Sequence, residues 1–347
     1  MKVVTTPYEL KLIKPFGIAR STRTTSSIVL IKLDDLGYGE ASPSAYYGED
    51  VATVIQTIAQ AVSKISNYPL YINEIMSQLN QQFPGNAAAR AAIDMALYDI
   101  LAKRLQLPLH AYLGIAPPRH AQTSFTIGIA PIDEMLEKVD AARDYPILKI
   151  KLGKDPDHDL TVMREIRKRT NQTIRVDANG GWTLDNALTC IKALADMDIE
   201  YVEQPLERGS LADLAQLKKA SPLPIFLDED ILVSSDIPKV AGKCDGINIK
   251  LMKCGGITEA INMIHTARAL DLQIMLGCMI ESSLAITAAS HLASLVDYLD
   301  LDGNLLVSND PFQGMILEKG YLRVPETPGL GATPRQDIAE LCEAGII

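Results

Sequence analysis

The feature that most constrains the fold is a repeat of short apolar runs that begins at about residue 121. Eight runs rich in β-branched residues recur roughly every 25 residues, with helix-like segments between most of them. The runs are TSFTIGIA, ILKIKL, TIRVDAN, IEYVEQP, PIFLDED, GINIK, LQIMLG and YLDLDG. Strands that alternate with helices at this spacing form parallel sheets that are buried on both faces. The repeat therefore predicts an α/β fold, either a (β/α)₈ barrel or a doubly wound open sheet, and eight similar units favour the barrel.

The part of the chain before this repeat has a different pattern. The segments YELKLIKPF and SSIVLIKLDDLGYGEASPS predict strands, with a turn between Asp34 and Gly37. EDVATVIQTIAQAVSKI and NAAARAAIDMALYDILAKRL have helical periodicity. We therefore predict an α+β domain over residues 1–115 and a barrel over residues 116–315, with residues 316–347 returning to the first domain.

Composition limits the classes of partner. The formal net charge is -10 at pH 7, and the chain contains neither a Walker loop nor a G-x-G-x-x-G loop, which argues against nucleic acids and nucleotides. No run approaches the roughly 20 apolar residues of a membrane span, and the first segment lacks the apolar region of a secretory signal. The five cysteines are scattered, without paired spacing. We expect a cytoplasmic protein that binds neither nucleic acid nor membranes.

Charged residues stand at the carboxyl ends of the predicted strands, where barrel enzymes place their active sites. They are Lys149 and Lys151 in the second strand, Asp177 in the third, Glu203 in the fourth, Asp228 in the fifth, Lys250 in the sixth, and Asp300 and Asp302 in the eighth. Each has an alternative explanation, because a Lys-x-Lys pair is commonly solvated and an aspartate after a strand commonly caps the next helix. A catalytic site explains all of them together.

Three of these carboxylates, Asp177, Glu203 and Asp228, come from successive strands and are therefore expected to converge at the barrel mouth. An all-oxygen set without a nearby histidine suits a hard cation such as Mg²⁺. The five histidines form no H-x-x-x-H pair, which disfavours zinc. The sequence thus predicts a magnesium site that can also bind a substrate carboxylate.

Lys151 and Lys250 are expected to face each other across this site, because their strands flank the three that carry the carboxylates. One amine can remove the α-proton of a bound carboxylic acid while the other delivers a proton to the opposite face, as inversion of a stereocentre requires. The metal would stabilise the enediolate that forms when the proton leaves. Lys149 shares a face with Lys151, and we expect it to repel the charge of Lys151 and to contact the substrate carboxylate.

The motifs resemble those of the enolase superfamily, and within it the muconate-lactonizing-enzyme subgroup. The resemblance covers essentially the whole chain and rests on KPF, GYGEASPS, AAIDMALYDILAKRLQLPLHAYLG, LKIKLG, RVDANGGW, VEQPL, LDED, INIKLMKCGG, GCMIESSLAI and PGLG. It implies a modified TIM barrel, (β/α)₇β, with an α+β capping domain built from the amino-terminal part and the carboxyl-terminal tail. By position it also implies roles at the site: Asp177, Glu203 and Asp228 as Mg²⁺ ligands, Lys151 and Lys250 as the acid/base pair, and Glu229 as a supporting neighbour.

The eighth strand narrows the resemblance. DLDGNLL is similar to the D-x-D of dipeptide epimerases, which implies that Asp300 and Asp302 bind the α-ammonium of the first residue of a dipeptide. A simple turn before DGN is the alternative. The resemblance therefore implies a magnesium-dependent isomerase that inverts the α-carbon of the second residue of an L-Ala-L-Xaa type dipeptide. Homo-oligomers are common in this superfamily, so a homo-oligomer is expected.

Other functions remain open at this point. The nearest is an o-succinylbenzoate synthase or N-succinylamino acid racemase, whose acylated substrates lack the free ammonium. A Schiff base on Lys250 and a non-catalytic barrel are two more. The side chain of the second residue is open as well: Arg20 and Arg23 stand near the place where Ala-Glu epimerases carry an arginine, but neither has the expected spacing from KPF. Acidic, apolar and broad preferences are all compatible with the sequence.

Overall fold

The computed structural model describes residues 1–65, 70–118 and 120–335. Its first part contains three strands and four helices: β1 (Val3–Ile18), β2 (Ser21–Leu33), β3 (Gly37–Ala41), α1 (Val51–Val62), α2 (Ile72–Gln82), α3 (Ala87–Arg104) and α4 (Leu109–Tyr112). The strands form an antiparallel sheet in the order β1-β2-β3. Asp34 and Asp35 take the left-handed backbone conformation between β2 and β3, so the chain reverses at the predicted turn.

Eight parallel strands follow, in sheet order β5 to β12. The strands are β5 (Phe125–Ile127), β6 (Ile147–Lys151), β7 (Thr173–Asp177), β8 (Ile199–Glu203), β9 (Ile225–Leu227), β10 (Gly246–Lys250), β11 (Gln273–Gly277) and β12 (Tyr298–Asp300). A parallel bridge between Thr123 and Leu299 joins the two ends of the sheet. The sheet is therefore a nearly closed barrel, which confirms the predicted barrel over the open doubly wound sheet.

Helices connect the barrel strands. They are α5 (Ile132–Ala141), α6 (Pro156–Arg169), α7 (Leu184–Ala195), α8 (Leu211–Ala220), α9 (Ile237–Val240), α10 (Leu251–Cys254), α11 (Ile257–Ala269) and α12 (Ser283–Ser290). The sequence sets their starts locally; for example, Asp155 caps α6 by accepting a hydrogen bond from the Asp157 amide. Among the described helices, none is both long enough and apolar enough to cross a membrane.

The barrel interior is closed by packed side chains below the carboxyl ends of the strands. Tyr201 and Phe226 stack at 4.3 Å between ring centroids and are fully buried together with Met275. Tyr201 precedes Glu203 by two residues on β8, so its ring lies one layer below that carboxylate. This aromatic layer therefore forms the floor beneath the carboxyl ends of the strands.

The chain after β12 forms short strands at the edge of the barrel and then contacts the first part of the protein. These strands are β13 (Phe312–Gln313), β14 (Ile316–Glu318), β15 (Tyr321–Arg323) and β16 (Thr333–Pro334), and β15 pairs with β4 (Ala121–Gln122). The Leu109 amide donates to the Gly329 carbonyl oxygen, and the Leu330 amide donates to Asp99. The boundaries at residues 115 and 315 stay a prediction, and residues 336–347 of the predicted tail, including Cys342, lie outside the described residues.

Candidate active site

A cavity of about 440 Å³ lies at the carboxyl ends of the barrel strands, under the amino-terminal sheet. Its size suits a small molecule. The barrel contributes charged side chains to its wall, and the sheet with its following loop contributes aromatic, apolar and basic ones. They include Lys151, Asp228, Glu229, Lys250, Asp300 and Asp302 from the barrel, and Phe16, Ile18, Arg20, Arg23, Tyr46 and Tyr47 from the cap.

The two lysines predicted as the acid/base pair reach this cavity from opposite sides of the barrel. Lys151 ends β6 and Lys250 ends β10, four strands apart in a closed sheet of eight. Lys151 Nζ donates to Asp177 Oδ2 at 2.5 Å, and Lys250 Nζ donates to Asp228 Oδ2 at 2.8 Å. Burial lowers the pKa of Lys250, but Asp228 and Glu203 together with Tyr47 outweigh burial and raise that pKa above its ordinary value.

The three predicted metal ligands lie on neighbouring strands. Asp177 pairs with Glu203 in the register of β7 and β8, and Asp228 follows β9 directly. All three are buried. Burial, reinforced by Asp177, raises the pKa of Glu203 to about 7. Burial also raises the pKa of Asp228, but Lys250 and the neighbouring Lys253 outweigh it and hold that pKa well below its usual range.

These carboxylates point at lysines rather than at one another. Within residues 1–65, 70–118 and 120–335, no group of three His, Cys, Asp or Glu side chains is placed to hold a metal ion. Glu203 Oε2 nevertheless accepts no hydrogen bond, although it lies 2.6 Å from Lys149 Nζ. An all-oxygen set with an unsatisfied buried carboxylate oxygen fits Mg²⁺ by its chemistry. Binding requires the three carboxylates to turn from the lysines towards a common point.

Lys149 is fully buried and does not reach the cavity surface. Its Nζ lies 2.6 Å from both Glu203 Oε2 and Asp300 Oδ2, and 3.4 Å from Asp177 Oδ2. Burial lowers the pKa of Lys149, but the three carboxylates outweigh it and raise that pKa well above its ordinary value. The arrangement favours a role in holding these carboxylates, and the predicted contact of Lys149 with a substrate stays a prediction.

Asp300 and Asp302 both line the cavity, and their partners differ. Asp300 accepts hydrogen bonds from Ser124 Oγ and Lys149 Nζ, both at 2.6 Å. Burial raises the pKa of Asp300, but Lys149, Lys151 and the Ser124 hydrogen bond together outweigh it and lower that pKa to about 2. Asp302 accepts a hydrogen bond from the Thr126 amide at 2.6 Å, and burial together with Asp300 raises its pKa to about 7. In the described part of the chain Asp302 forms no ion pair, so a cation that enters beside it would meet a carboxylate without an ion-pair partner.

Arg20 and Arg23 are placed differently. The Arg20 guanidinium donates to the Asn179 carbonyl oxygen and, at 2.6 Å, to Glu229 Oε1, and it lies 4.3 Å above the centre of the Tyr46 ring. Arg23 is exposed on β2 at the cavity mouth. Both arginines line the cavity, and their predicted contact with a substrate stays a prediction. Glu229 compensates the charge of Arg20 inside the protein.

Sequence reasoning missed two side chains that hold Asp228. Lys253 Nζ contacts Asp228 Oδ1 at 2.5 Å and also donates to the carbonyl oxygens of Asp228, Ile231 and Asn248. Gln204 Oε1 accepts hydrogen bonds from the amides of Asp228 and Glu229. The sequence position of Lys253, three residues after Lys250, could have predicted this contact, because it places both amines near the carboxyl end of β10. Gln204 offered no comparable signal.

Comparisons with known proteins give a consistent result. A family model described as "Enolase C-terminal domain-like" matches residues 132–338, and one described as "Mandelate racemase / muconate lactonizing enzyme, N-terminal domain" matches residues 1–114. An L-Ala-D/L-Glu epimerase of Bacteroides thetaiotaomicron is 40% identical over 336 residues, which cover 95% of this chain and 87% of that protein. A hydrophobic dipeptide epimerase of a Flavobacteria bacterium is 38% identical, with 93% and 95% covered.

Solved structures agree with these sequence matches. A dipeptide epimerase from Cytophaga hutchinsonii, complexed with Mg and the dipeptide D-Ala-L-Val, superposes with a TM-score of 0.91 at 31% identity. The superposition covers 96% of each chain. The similarity therefore extends over both the barrel and the cap.

Proposed function

Because the chain belongs to the mandelate racemase/muconate lactonizing enzyme family of the enolase superfamily, we propose that it is a magnesium-dependent dipeptide epimerase. In this proposal it is an isomerase that inverts the α-carbon of the second residue of an L-Ala-L-Xaa type dipeptide. The observation that carries the proposal is the placement of Lys151 and Lys250 on opposite sides of one cavity that also contains Asp300 and Asp302. The names of the relatives, which are dipeptide epimerases, support the same substrate class.

The cavity orients a dipeptide by its two ends. Asp300 and Asp302 attract the α-ammonium of the first residue, because both are buried carboxylates on the cavity wall. The carboxylate of the second residue is directed towards β7, β8 and β9. When bound there by Asp177, Glu203 and Asp228, Mg²⁺ supplies positive charge that stabilises an enediolate. The α-carbon of the second residue then lies between the two lysines.

The two lysines perform the proton transfer. One, as a neutral amine, takes the α-proton and becomes an ammonium, and the electron pair delocalises into the substrate carboxylate. The other, as an ammonium, donates a proton to the opposite face of the same carbon and becomes neutral. The number of protons is conserved, and the configuration at the α-carbon is inverted. The fold supports this step because β6 and β10 hold the amines on opposite sides and do not let them share one side.

The test is proton NMR in deuterium oxide with Mg²⁺, on L-Ala-L-Xaa dipeptides and N-succinyl amino acids. We expect loss of the α-proton signal of the second residue of a dipeptide and the appearance of the L,D epimer. Exchange in the N-succinyl compounds with none in any dipeptide would instead identify the acylated-substrate alternative.

Controls separate catalysis from folding and from contaminating activity. Lys151→Ala should lower epimerisation by about 10² to 10⁴-fold, whereas Lys219→Ala, at an exposed position of α8, should leave it unchanged. EDTA should stop epimerisation, and added Mg²⁺ should restore it. Activity that persists in EDTA would contradict the metal dependence.

A further inference from the structure

The cluster formed by Arg20, Tyr46, Asn179 and Glu229 joins the cap to the barrel at the edge of the cavity. Resting on the proposed function, we infer that Arg20 is a positioning residue that fastens the cap and not a receptor for the substrate side chain. The preferred dipeptide accordingly carries an uncharged, apolar second residue. This assignment replaces the substrate-binding role that the sequence suggested for Arg20.

The contacts of Arg20 occupy both terminal nitrogens of its guanidinium group. NH1 donates to the Asn179 carbonyl oxygen in the β7–α7 loop, and NH2 donates to Glu229 Oε1 at 2.6 Å after β9. Recognition of a carboxylate by arginine commonly uses two such nitrogens side by side. Both terminal nitrogens of Arg20 already have acceptors that belong to the barrel.

Displacing Arg20 from these partners is unfavourable. The Glu229 side chain is 2% exposed, so a glutamate side chain that drew Arg20 away would leave Glu229 charged, buried and without its arginine. The Tyr46 ring lies at 4.3 Å from the guanidinium and packs against it from the cap side. The cluster therefore holds β1 and the following loop onto the barrel rim. A substrate with an acidic side chain would form no additional ion pair with Arg20, because it would only replace Glu229.

Arg23 does not replace Arg20 as a receptor. It lies exposed on β2, where water already solvates its charge. An ion pair between an exposed arginine and a carboxylate typically discriminates by less than about fivefold. Arg23 can therefore favour an acidic side chain only weakly.

Part of the remaining cavity wall is apolar and matches an apolar side chain. Phe16 and Ile18 enter from β1, and Met279, Ile280 and Leu306 enter from the loops after β11 and β12. A substrate carboxylate among these apolar groups would lose water without gaining a hydrogen-bond partner there. A lysine side chain is disfavoured too, because Glu229 is already paired with Arg20.

The first test compares kcat/KM for L-Ala-L-Met, L-Ala-L-Gln and L-Ala-L-Glu, which have side chains of similar length. We expect the methionine dipeptide to exceed the glutamate dipeptide by at least about tenfold, with glutamine between them. A higher kcat/KM for the glutamate dipeptide would overturn the inference while leaving the proposed function intact. Absence of α-proton exchange in every dipeptide would overturn both.

The second test uses variants of the cluster and reads the ratio of kcat/KM between the glutamate and methionine dipeptides. Arg20→Met should lower both values by a similar factor, because fastening of the cap serves every substrate. Glu229→Gln should raise the ratio at least about tenfold, because it frees the arginine to pair with the substrate. Arg20→Met/Glu229→Gln should return the ratio to that of the wild type.

The exposed arginine provides the matched control. Arg23→Met should change the ratio by less than about fivefold. A selective loss of the glutamate dipeptide in Arg20→Met, or an unchanged ratio in Glu229→Gln, would overturn the inference. Because a structural defect lowers both kcat/KM values together, it cannot produce the predicted rise in their ratio.

Discussion

At the scale of single residues, the two cavity lysines predict an asymmetric effect of mutation. Lys151 and Lys250 approach the cavity from opposite sides, so each can exchange the α-proton of only one epimer. Lys151→Ala and Lys250→Ala should each lower epimerisation by about 10² to 10⁴-fold. Each variant should still exchange the α-proton of one epimer, and the retained epimer should differ between the variants. Proton NMR in deuterium oxide, begun separately from the L,L and L,D dipeptides, measures this.

The same experiment has a clear contrary outcome. If both variants retained exchange of the same epimer, the two lysines would act on one face, and inversion by a two-base mechanism would be excluded. Loss of all exchange in only one variant would indicate a single base that serves both faces.

Asp302 gives the second prediction at this scale. Asp302→Asn keeps an oxygen that can accept from the Thr126 amide but removes the negative charge beside the expected ammonium. Because a hydrogen bond between charged groups is worth about 1.5–3 kcal/mol, kcat/KM for dipeptides should fall about 10 to 100-fold. Steady-state kinetics with L-Ala-L-Xaa substrates measures the loss.

A neutral first residue provides the control for this prediction. N-acetylated dipeptides lack the ammonium, so any residual turnover of them should respond little to Asp302→Asn. An undiminished kcat/KM for free dipeptides in the variant would show that Asp302 does not bind the ammonium, and it would favour the acylated-substrate alternative.

At the scale of secondary-structure elements, Asp159 on α6 ties together the two loops that follow Lys151 and Asp177. Its Oδ2 accepts from the Gly153 amide at 2.8 Å and from Trp182 Nε1 at 2.9 Å. Asp159→Ala leaves both donors buried without a partner, which should lower the free energy of unfolding by about 2–5 kcal/mol. Chemical denaturation, followed by the fluorescence of the single tryptophan of the chain, measures the change.

A second aspartate on α6 is the matched control. Asp157 is exposed in the first turn of the helix, where its charge interacts favourably with the helix dipole. Asp157→Ala should therefore cost less than about 1 kcal/mol. Equal destabilisation by the two variants would contradict the assigned role of Asp159.

The same elements show how far sequence reasoning can reach. The positions of three charged residues were predictable, namely those of Lys151, Asp177 and Glu203. Parallel strands bring their carboxyl ends to one edge of the sheet, so the spacing of the strand repeat is enough to place a residue that ends a strand. The contacts of Arg20 with Asn179 and Glu229 were not predictable, because they depend on how a loop of the cap meets two barrel loops. The enclosure of Lys149 was also missed. The spacing of the strand repeat predicts which face of the strand Lys149 occupies, but it does not predict which carboxylates surround its ammonium group.

At the scale of the whole molecule, a buried histidine pair joins the cap, the barrel and the tail. His110 belongs to α4, and His291 follows α12. The His110 amide donates to His291 Nδ1 at 3.2 Å, so that nitrogen carries no proton, and Nε2 faces the Leu330 carbonyl oxygen at 2.9 Å. His291 is therefore neutral in the folded protein, with its proton on Nε2. A second proton would have to bind at Nδ1, where it would clash with the N–H of the His110 amide that already donates to this nitrogen.

The burial of this neutral histidine predicts a loss of stability in acid. Burial lowers the pKa of His291 to about 4, whereas an unfolded histidine titrates near about 6.5. As the pH falls through this interval, His291 binds a proton in the unfolded chain but not in the folded protein. The free energy of unfolding therefore decreases, by about 3 kcal/mol in total.

Buried carboxyl groups act in the opposite direction over an overlapping interval. Burial raises the pKa of Glu40 to about 8 and that of Asp94 to about 7, so both favour the folded protein at lower pH. The wild-type curve is the sum of these effects, and the contribution of His291 appears only as a difference between proteins.

The measurement is urea denaturation of the wild type and His291→Gln between about pH 7.5 and about pH 4.5. Glutamine keeps a donor that can face the Leu330 carbonyl oxygen but does not titrate. The variant should be less stable at the upper pH, and its deficit should shrink by about 2–3 kcal/mol towards the lower pH. His265→Gln, at an exposed position of α11, should leave a constant difference from the wild type. Parallel curves for His291→Gln and the wild type would show that the junction of cap, barrel and tail does not depend on a neutral histidine.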